Sequence, residues 1–374
     1  MSLRRHRSPL LLVHDESPAL GGSVTSLGAL VPFLRRSGWR VEVAALQPDG
    51  WAGEGIEPHL MRRRGERVKG AAYFARETIR ALALRALAGR LSPDVLLANN
   101  GPTANLATHL AGRSLGLPVA QYVRGPFPGS DLAGKILRSA ATIFTVGEEC
   151  ARLTSAVGKV GSAPVAEGLE PSRWPAPRAP FTRDWLWNSA LIGWKGLPLL
   201  LDTYGRLGPG MPRLHVCFTT LPAHHPDAVP APCRVPEGVE LRRAPPDLDL
   251  LRSRCLVYVH TALRPEPFGR SVLEAMAAGL CPIVPAAGTP GRLVRHMVNG
   301  LVYAPGSGEG LASLLRLAAR DPSLCARLGA RAEADARAYR SDVAFQPILS
   351  GLERIRSGRV ARVVPIRHAA AQDR

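Results

Sequence analysis

The sequence predicts two α/β domains, each built on a doubly wound parallel sheet. Short apolar strands alternate with helical stretches along most of the chain, and strands separated by helices of roughly 10–15 residues are βαβ units. The alternation stops once, at Glu170–Trp185, which holds four prolines and two tryptophans and neither period, and then resumes. Such a break is an interdomain linker. The length of 374 residues agrees, since roughly 100–200 residues per domain gives about two.

Taken in order, Leu10–Asp15 is a buried strand, followed by Gly21–Gly22 and a helix through to Gly38. Arg40–Leu46 is the next strand, and Ser92–Asn100 another. A helix follows over "TANLATHLAGRSLG", with apolar positions three and four apart, then the strand "LPVAQYVRG" and the strand–helix unit Thr142–Val157. Beyond the linker, Pro212–Thr220, Val239–Pro245, Cys255–Thr261 and Leu280–Ala286 are strands of a second sheet. His224–Gly238 is a proline-rich loop, and helices cover Gly310–Tyr339 and Phe345–Arg356. The domains are read as 1–172 and 173–340. Residues 341–374 are a C-terminal helix expected to pack back on the first domain, plus a basic tail. Two such lobes would leave a cleft, with ligands outside the carboxyl ends of the strands.

With 46% apolar and 21% charged residues, the chain can bury a core and does not fit pervasive disorder. Apolar runs such as Leu10–Val13 fall far short of the ~20 residues a membrane-spanning helix needs. The basic N-terminus meets His14–Asp15–Glu16 too soon to be a secretory signal, so a cytoplasmic protein is expected. Six cysteines lie at 150, 217, 233, 255, 281 and 325, none in a Cys-x-x-Cys pair, which argues against a zinc cluster or disulfide scaffold. The net charge is +18, and only four of the 48 basic residues are lysine. Such charge attracts polyanions: nucleic acid, an anionic membrane face or phosphorylated substrates.

The most informative stretch is Arg264–Gly291, "RPEPFGRSVLEAMAAGLCPIVPAAGTPG", just after a predicted strand. Glu266 and Glu274 are separated by seven residues. Ser271 is the expected N-cap and Gly279 the stop of a helix with Glu274 in its first turn. The amides of Phe268–Val272 would then offer a diphosphate site at the positive helix end. Two carboxylates beside it suit sugar and ribose hydroxyls.

This stretch resembles the signature of the retaining glycosyltransferases of family 4, which have the GT-B fold of two Rossmann-like domains facing a cleft. The similarity is strongest over about residues 250–305, including Asn299–Tyr303, and fainter but colinear over roughly 8–340. The resemblance implies that Glu266 contacts the transferred sugar, that Glu274 binds the ribose, and that Phe268, Gly269 and Arg270, with Ser271 beside them, hold the diphosphate. Gly21 and Gly22 resemble the glycine-rich turn that approaches the donor phosphates. Trp187–Leu207 resembles the start of the donor domain, where Lys195 would neutralise the diphosphate.

Three positions depart from the pattern. Ser189–Ala190 stand where a Gly-Arg pair is usual, so one cation is missing or comes from Arg264 or Arg270. Arg124 stands where a sugar-contacting histidine is common, and either holds phosphate or acceptor or caps a strand. Gly291 replaces a glutamate.

The implied reaction is transfer of a hexose from a UDP- or GDP-sugar, with retention, to a glycan or lipid-linked acceptor, in a setting such as surface polysaccharide assembly. Cations and amides would stabilise the leaving diphosphate, which itself could take the acceptor's proton. No cofactor is expected, and metal independence is, because the Asp-x-Asp letters at Asp247–Asp249 start a helix and His224–His225 lack partner ligands. Met61–Arg90 carries nine basic and two acidic residues. Ala72, Phe74, Ile79, Leu82, Ala83, Ala86 and Leu87 recur near helical period there, as in a basic helix lying on an anionic membrane or a core helix with a solvated basic face. The alternatives are a non-catalytic family member and a basic nucleic-acid-binding protein; no zinc finger, RNA-recognition sequence or aromatic platform supports the latter.

Overall fold

Leu10–Asp15 (β1) is buried at every position, as a strand covered on both faces by helices must be. The computed structural model describes residues 7–16, 22–46, 51, 55–61, 69–171, 174, 182–220, 228–245 and 247–358. The chain divides into two units: Met1–Glu170 with Ser341–Arg374, and Pro171–Arg340.

In the first unit β1 is followed by α1 (Gly22–Arg36), β2 (Arg40–Ala45), β3 (His59–Leu60), α2 (Ala71–Leu91), β4 (Val95–Asn99) and α3 (Leu106–Leu115). Then come β5 (Val119–Val123), α4 (Asp131–Ser139), β6 (Thr142–Val146), α5 (Gly147–Gly158) and β7 (Ala163–Val165). The sheet order is β3-β2-β1-β4-β5-β6-β7, every pair parallel. α1 ends where Gly38 turns at φ +90, its amide and that of Trp39 reaching back to Arg35 and Leu34; a residue with a Cβ resists that conformation. The sequence reading omitted α4, which Ser130 caps by accepting from the Ala133 amide at 3.1 Å.

The second unit contains β8 (Trp185–Ala190), α6 (Leu197–Gly205), β9 (Leu214–Thr219), β10 (Val239–Arg243), α7 (Leu248–Arg254), β11 (Val257–Val259), α8 (Arg270–Ala277) and β12 (Cys281–Pro285). α9 (Pro290–Leu293), β13 (Leu301–Tyr303), α10 (Gly308–Arg320) and α11 (Pro322–Ala336) complete it. The sheet order is β10-β9-β8-β11-β12-β13, again all parallel. Trp185, expected in the linker, instead opens β8 and is fully buried. The helical stretch expected over Gly310–Tyr339 is two helices. Asp321 caps α11 by accepting from the Leu324 amide at 2.8 Å, with Pro322 in the first turn, where a missing N–H costs nothing.

Two short helices, α12 (Ser341–Ala344) and α13 (Gln346–Arg356), belong to the first unit. Ile348 and Leu352 are fully buried, and the Ser341 amide bonds the Leu169 carbonyl at 2.8 Å. Phe345 lies against Gly168, and Gly351 against Phe144; a Cβ at either glycine would come within 2.6 Å of the ring.

In both sheets the strand order reverses beside the first strand, between β1 and β4 and between β8 and β11. The carboxyl ends at such a reversal are where doubly wound sheets bind ligands.

Candidate active site

In the second unit that reversal gathers the loops after β8 and β11. Thr261 joins them: its Oγ1 donates to the Lys195 carbonyl at 2.9 Å and accepts from Trp187 Nε1 at 3.0 Å. The Leu263 amide donates to the Trp194 carbonyl at 2.8 Å. The turn before α6 can come this close only because Gly196 has no side chain. Its φ is +74, and a Cβ would sit 1.9 Å from the Thr261 oxygen.

The clamp carries Lys195 to Glu266, with Nζ 2.5 Å from Oε1 and 4.4 Å from the Trp194 ring centroid. On the other side of the carboxylate, His260 Nε2 lies 3.0 Å from Oε2. His260 closes β11 and is buried, its carbonyl accepting from the Tyr303 hydroxyl at 3.0 Å. Burial alone would raise the Glu266 carboxyl. The Lys195 charge and then His260 overcome this and hold it down, at about 2 against an ordinary 4.5. Glu266 is thus a charged acceptor held in a largely dry site. Sequence reasoning missed His260, for which the signal is a lone histidine ending an apolar strand.

The next turn is built by close approaches. Gly288, at φ +62, lies on the Glu266 backbone, where a Cβ would meet the nitrogen at 2.4 Å. Gly269, at φ +81, lies on Pro290, with Cγ at 2.5 Å from the same construction. The Thr289 amide donates to the Glu266 carbonyl at 3.0 Å.

Three expectations change here. α8 begins at Arg270, with left-handed Gly269 before it and no side-chain cap. Ser271 therefore lies inside the helix, where its Oγ accepts from the buried Tyr258 hydroxyl at 2.8 Å. Glu274 falls in the second turn. The Val272 amide is taken by the Gly269 carbonyl at 2.9 Å, and the Phe268 side chain is buried against Tyr339, leaving only its backbone to a ligand.

Glu274 accepts from Arg252 Nη2 at 2.6 Å and from Arg270 Nε at 3.0 Å. Arg252, on α7, also donates to Asp249 at 2.6 Å. Burial would lower the Arg252 guanidinium, but Glu274 and then Asp249 raise it. Asp247 accepts from Arg242 at 2.9 Å, so both aspartates of the Asp-x-Asp letters serve arginines. Among the described residues no group of three or more His, Cys, Asp or Glu could hold a metal; His224–His225 lie outside them. Position 291 is glycine for a local reason, since a Cβ would come 2.9 Å from Ala286 C and 3.0 Å from the Pro285 oxygen. Asn299 is structural: its Oδ1 accepts from the Arg295 amide at 2.6 Å, and its Nδ2 donates to the Leu293 carbonyl and to Asp335.

In the first unit Gly22 starts α1, while Gly21 lies outside the described residues. Arg124 follows β5 with its side chain buried. It is paired to Glu167 at 2.7 Å, lies over the Tyr122 ring at 4.4 Å and reaches the Gly22 carbonyl at 3.5 Å. The structure brings Arg124 and Gly22 together, and among the described residues buried Nε and Nη1 of Arg124 have no hydrogen-bond partner.

At the reversal between β1 and β4 lies a second charged cluster that sequence reasoning missed. Arg80 Nη1, from α2, is 2.8 Å from Glu16 and 3.0 Å from Glu77, which is fully buried. His14 Nδ1 is 2.7 Å from Thr108 Oγ1. Burial, then Arg80, hold His14 down to about 3, so it stays neutral. Arg80 meets both carboxyls and Arg76 Nε lies 3.0 Å from Glu77, yet burial followed by Glu77 pushes Glu16 up to about 8 from 4.5 despite Arg80 and Arg76. A carboxyl raised in this way contributes stability at acid pH that is lost as pH climbs through 4.5 towards 8. Glu16→Gln, which cannot ionise, should therefore match the parent at mildly acid pH and become progressively more stable than it through that window. Paired melting curves test this, and a pH-independent difference would exclude it.

Residues 239–335 match the glycosyl transferases, group 1 family. No curated protein matches the chain in sequence. Among solved structures it resembles a glycosyltransferase from Rickettsia africae (TM-score 0.76, 13% identity, 94% of this chain and 99% of that one). It also resembles Anabaena Alr3699/HepE in complex with UDP-glucose (0.73, 18%, 92% and 99%) and sucrose-phosphate synthase from Thermosynechococcus elongatus (0.73, 15%, 94% and 100%). The chain thus has the GT-B fold, two parallel-sheet α/β domains of seven and six strands. Its second unit carries a group 1 glycosyltransferase domain.

Proposed function

We propose that the chain is a metal-independent retaining glycosyltransferase of family 4, transferring a hexose from a UDP- or GDP-sugar to a glycan or lipid-linked acceptor, as in surface polysaccharide assembly. The observation that carries this reading is Glu266, held charged between Lys195 and His260 at the strand-order reversal, one turn before the Gly269-led start of α8. The Anabaena relative's complex with UDP-glucose supports the donor class.

Lys195 is the candidate cation for the donor diphosphate, and leaving-group charge is what such a preorganised cation stabilises. Glu266, unable to donate, accepts from hydroxyls of the sugar. Glu274 has lone pairs left beyond its two arginines for a ribose diol. Arg124, beside the start of α1 with two nitrogens unmatched among the described residues, is the first unit's candidate for phosphate or acceptor oxygens. Arg270 is committed to Glu274, so the cation missing at Ala190 falls to Lys195 and the exposed Arg264.

Thermal stabilisation against UDP, GDP, ADP and their sugars tests the reading, because a ligand of the native state raises the melting temperature. One nucleotide should shift it. Glu274→Ala should weaken that nucleotide roughly tenfold or more relative to its own unliganded baseline. The anomeric configuration of the product, followed by NMR, reports retention, and EDTA should leave transfer unchanged. Absence of a shift with every nucleotide would refute the donor assignment.

A further inference from the structure

The basic helix singled out in the sequence folds as α2, and its faces are inverted. The half packed on the protein holds the charged Glu77 and Arg80 with Ala81, Leu84, Leu87 and Ala88. The outward half holds Phe74, Ile79 and Leu82, which are 52%, 48% and 57% exposed, with exposed Ala75, Ala83 and Ala86 between them. Leu87 alone of the expected apolar positions is buried. Large apolar side chains scattered singly on a surface need no explanation, but three along one helix form a patch.

Among the described residues of this helix and its lead-in, the exposed charges have one sign. Glu77 is the helix's single acid and is fully buried against Arg76 and Arg80. Exposed Arg85 and Arg90 lie at the two margins of the apolar strip, and exposed Lys69 precedes the helix. A protein partner or a second copy of this chain would be met by cations with no acid among them. Acyl chains beneath anionic headgroups match both features at once, the arginine stems reaching outward from the apolar strip. The strip runs along the helix from Phe74 to Ala86, which at ~1.5 Å per residue is about 18 Å.

We infer that the outward face of α2 docks the protein on an anionic lipid bilayer through Phe74, Ile79 and Leu82, with Arg85 and Arg90 on the headgroups. The docked helix has a direction. Its first turns lie at the carboxyl edge of the sheet, where the Tyr73 hydroxyl donates to the Thr103 carbonyl at 2.6 Å and Arg80 meets Glu16. That edge is where a parallel sheet receives ligands, so the surface brings lipid-anchored molecules to it. No helix among the described residues is long and apolar enough to cross a membrane. Arg62, Arg63, Arg64 and Arg67 lie outside the described residues. The inference is independent of the transferase reading.

Co-sedimentation of the full chain with vesicles tests it. Phosphatidylcholine vesicles containing phosphatidylglycerol should bind, roughly tenfold or more tightly than phosphatidylcholine alone, and salt should weaken the binding. The triple variant Phe74→Ser, Ile79→Ser, Leu82→Ser should lose roughly tenfold or more while keeping the parent's melting temperature and nucleotide response. Arg85→Glu with Arg90→Glu, which leaves the apolar strip intact, should lose a similar factor for anionic vesicles alone. The inference fails if the parent ignores anionic vesicles or if the triple variant binds like the parent. It also fails if light scattering finds a dimeric parent that the triple variant converts to a monomer, since a second copy would then be the occupant.

Discussion

Lys195→Ala should destabilise the second unit by about 2–4 kcal/mol at neutral pH, because it strips the main counter-charge from a carboxylate that burial already penalises. The pH dependence has a defined sign. Glu266 is depressed from 4.5 to about 2, so its ionised form contributes stability that is present above 4.5 and disappears as pH falls through that window. The gap between parent and variant should thus be widest at neutral pH and close on acidification. Denaturant unfolding at a series of pH values reads it, and a gap constant across the window would show that Lys195 acts by packing alone. Adding Glu266→Gln should restore part of the stability, since a neutral amide no longer needs the ammonium. Catalysis should respond differently. If Lys195 stabilises the leaving diphosphate, turnover should fall roughly hundredfold or more, and the double variant should remain inactive.

Gly196→Ala should be as damaging for a geometric reason. The added Cβ would fall 1.9 Å from the Thr261 oxygen at a φ of +74, so the turn carrying Lys195 would have to leave β11. The expected cost is about 3 kcal/mol or more, or ~2–4 °C of melting temperature per kcal/mol in a unit of this size, together with loss of nucleotide stabilisation. Gly193, in the same turn, is the control. A Cβ there would meet Val229 at an ordinary 3.6 Å, so Gly193→Ala should change stability by about 0.5 kcal/mol or less. Equal effects at the two positions would disprove the close-approach argument.

Much of the fold was legible because its signals are local. Continuous apolar runs such as Leu10–Asp15 mark strands covered on both faces, and the glycines at 38 and 279 mark helix ends. The Glu266–Glu274 spacing follows the same local logic, and the structure sets Glu266 against Lys195 and His260 and Glu274 against Arg252 and Arg270. The cap was misread, because Ser271 has the right chemistry but Gly269 has the backbone freedom, and the left-handed conformation decided where α8 begins.

The sequence alone determined the two parallel sheets, the strand after which the candidate site lies, and the excess of arginine. Only the tertiary structure decided which charges meet. Lys195 and Glu266 are 71 positions apart and Arg252 and Glu274 are 22 apart, distances over which no periodicity carries information. It also decided which side of α2 is dry. By pattern Phe74, Ile79 and Leu82 could face the core or a membrane, but the carboxyl edge of β1 presents Glu16 to the helix through Arg80. Burying Arg80 against two carboxyls compensates charges that no apolar side chain could, so the apolar strip was left facing outward.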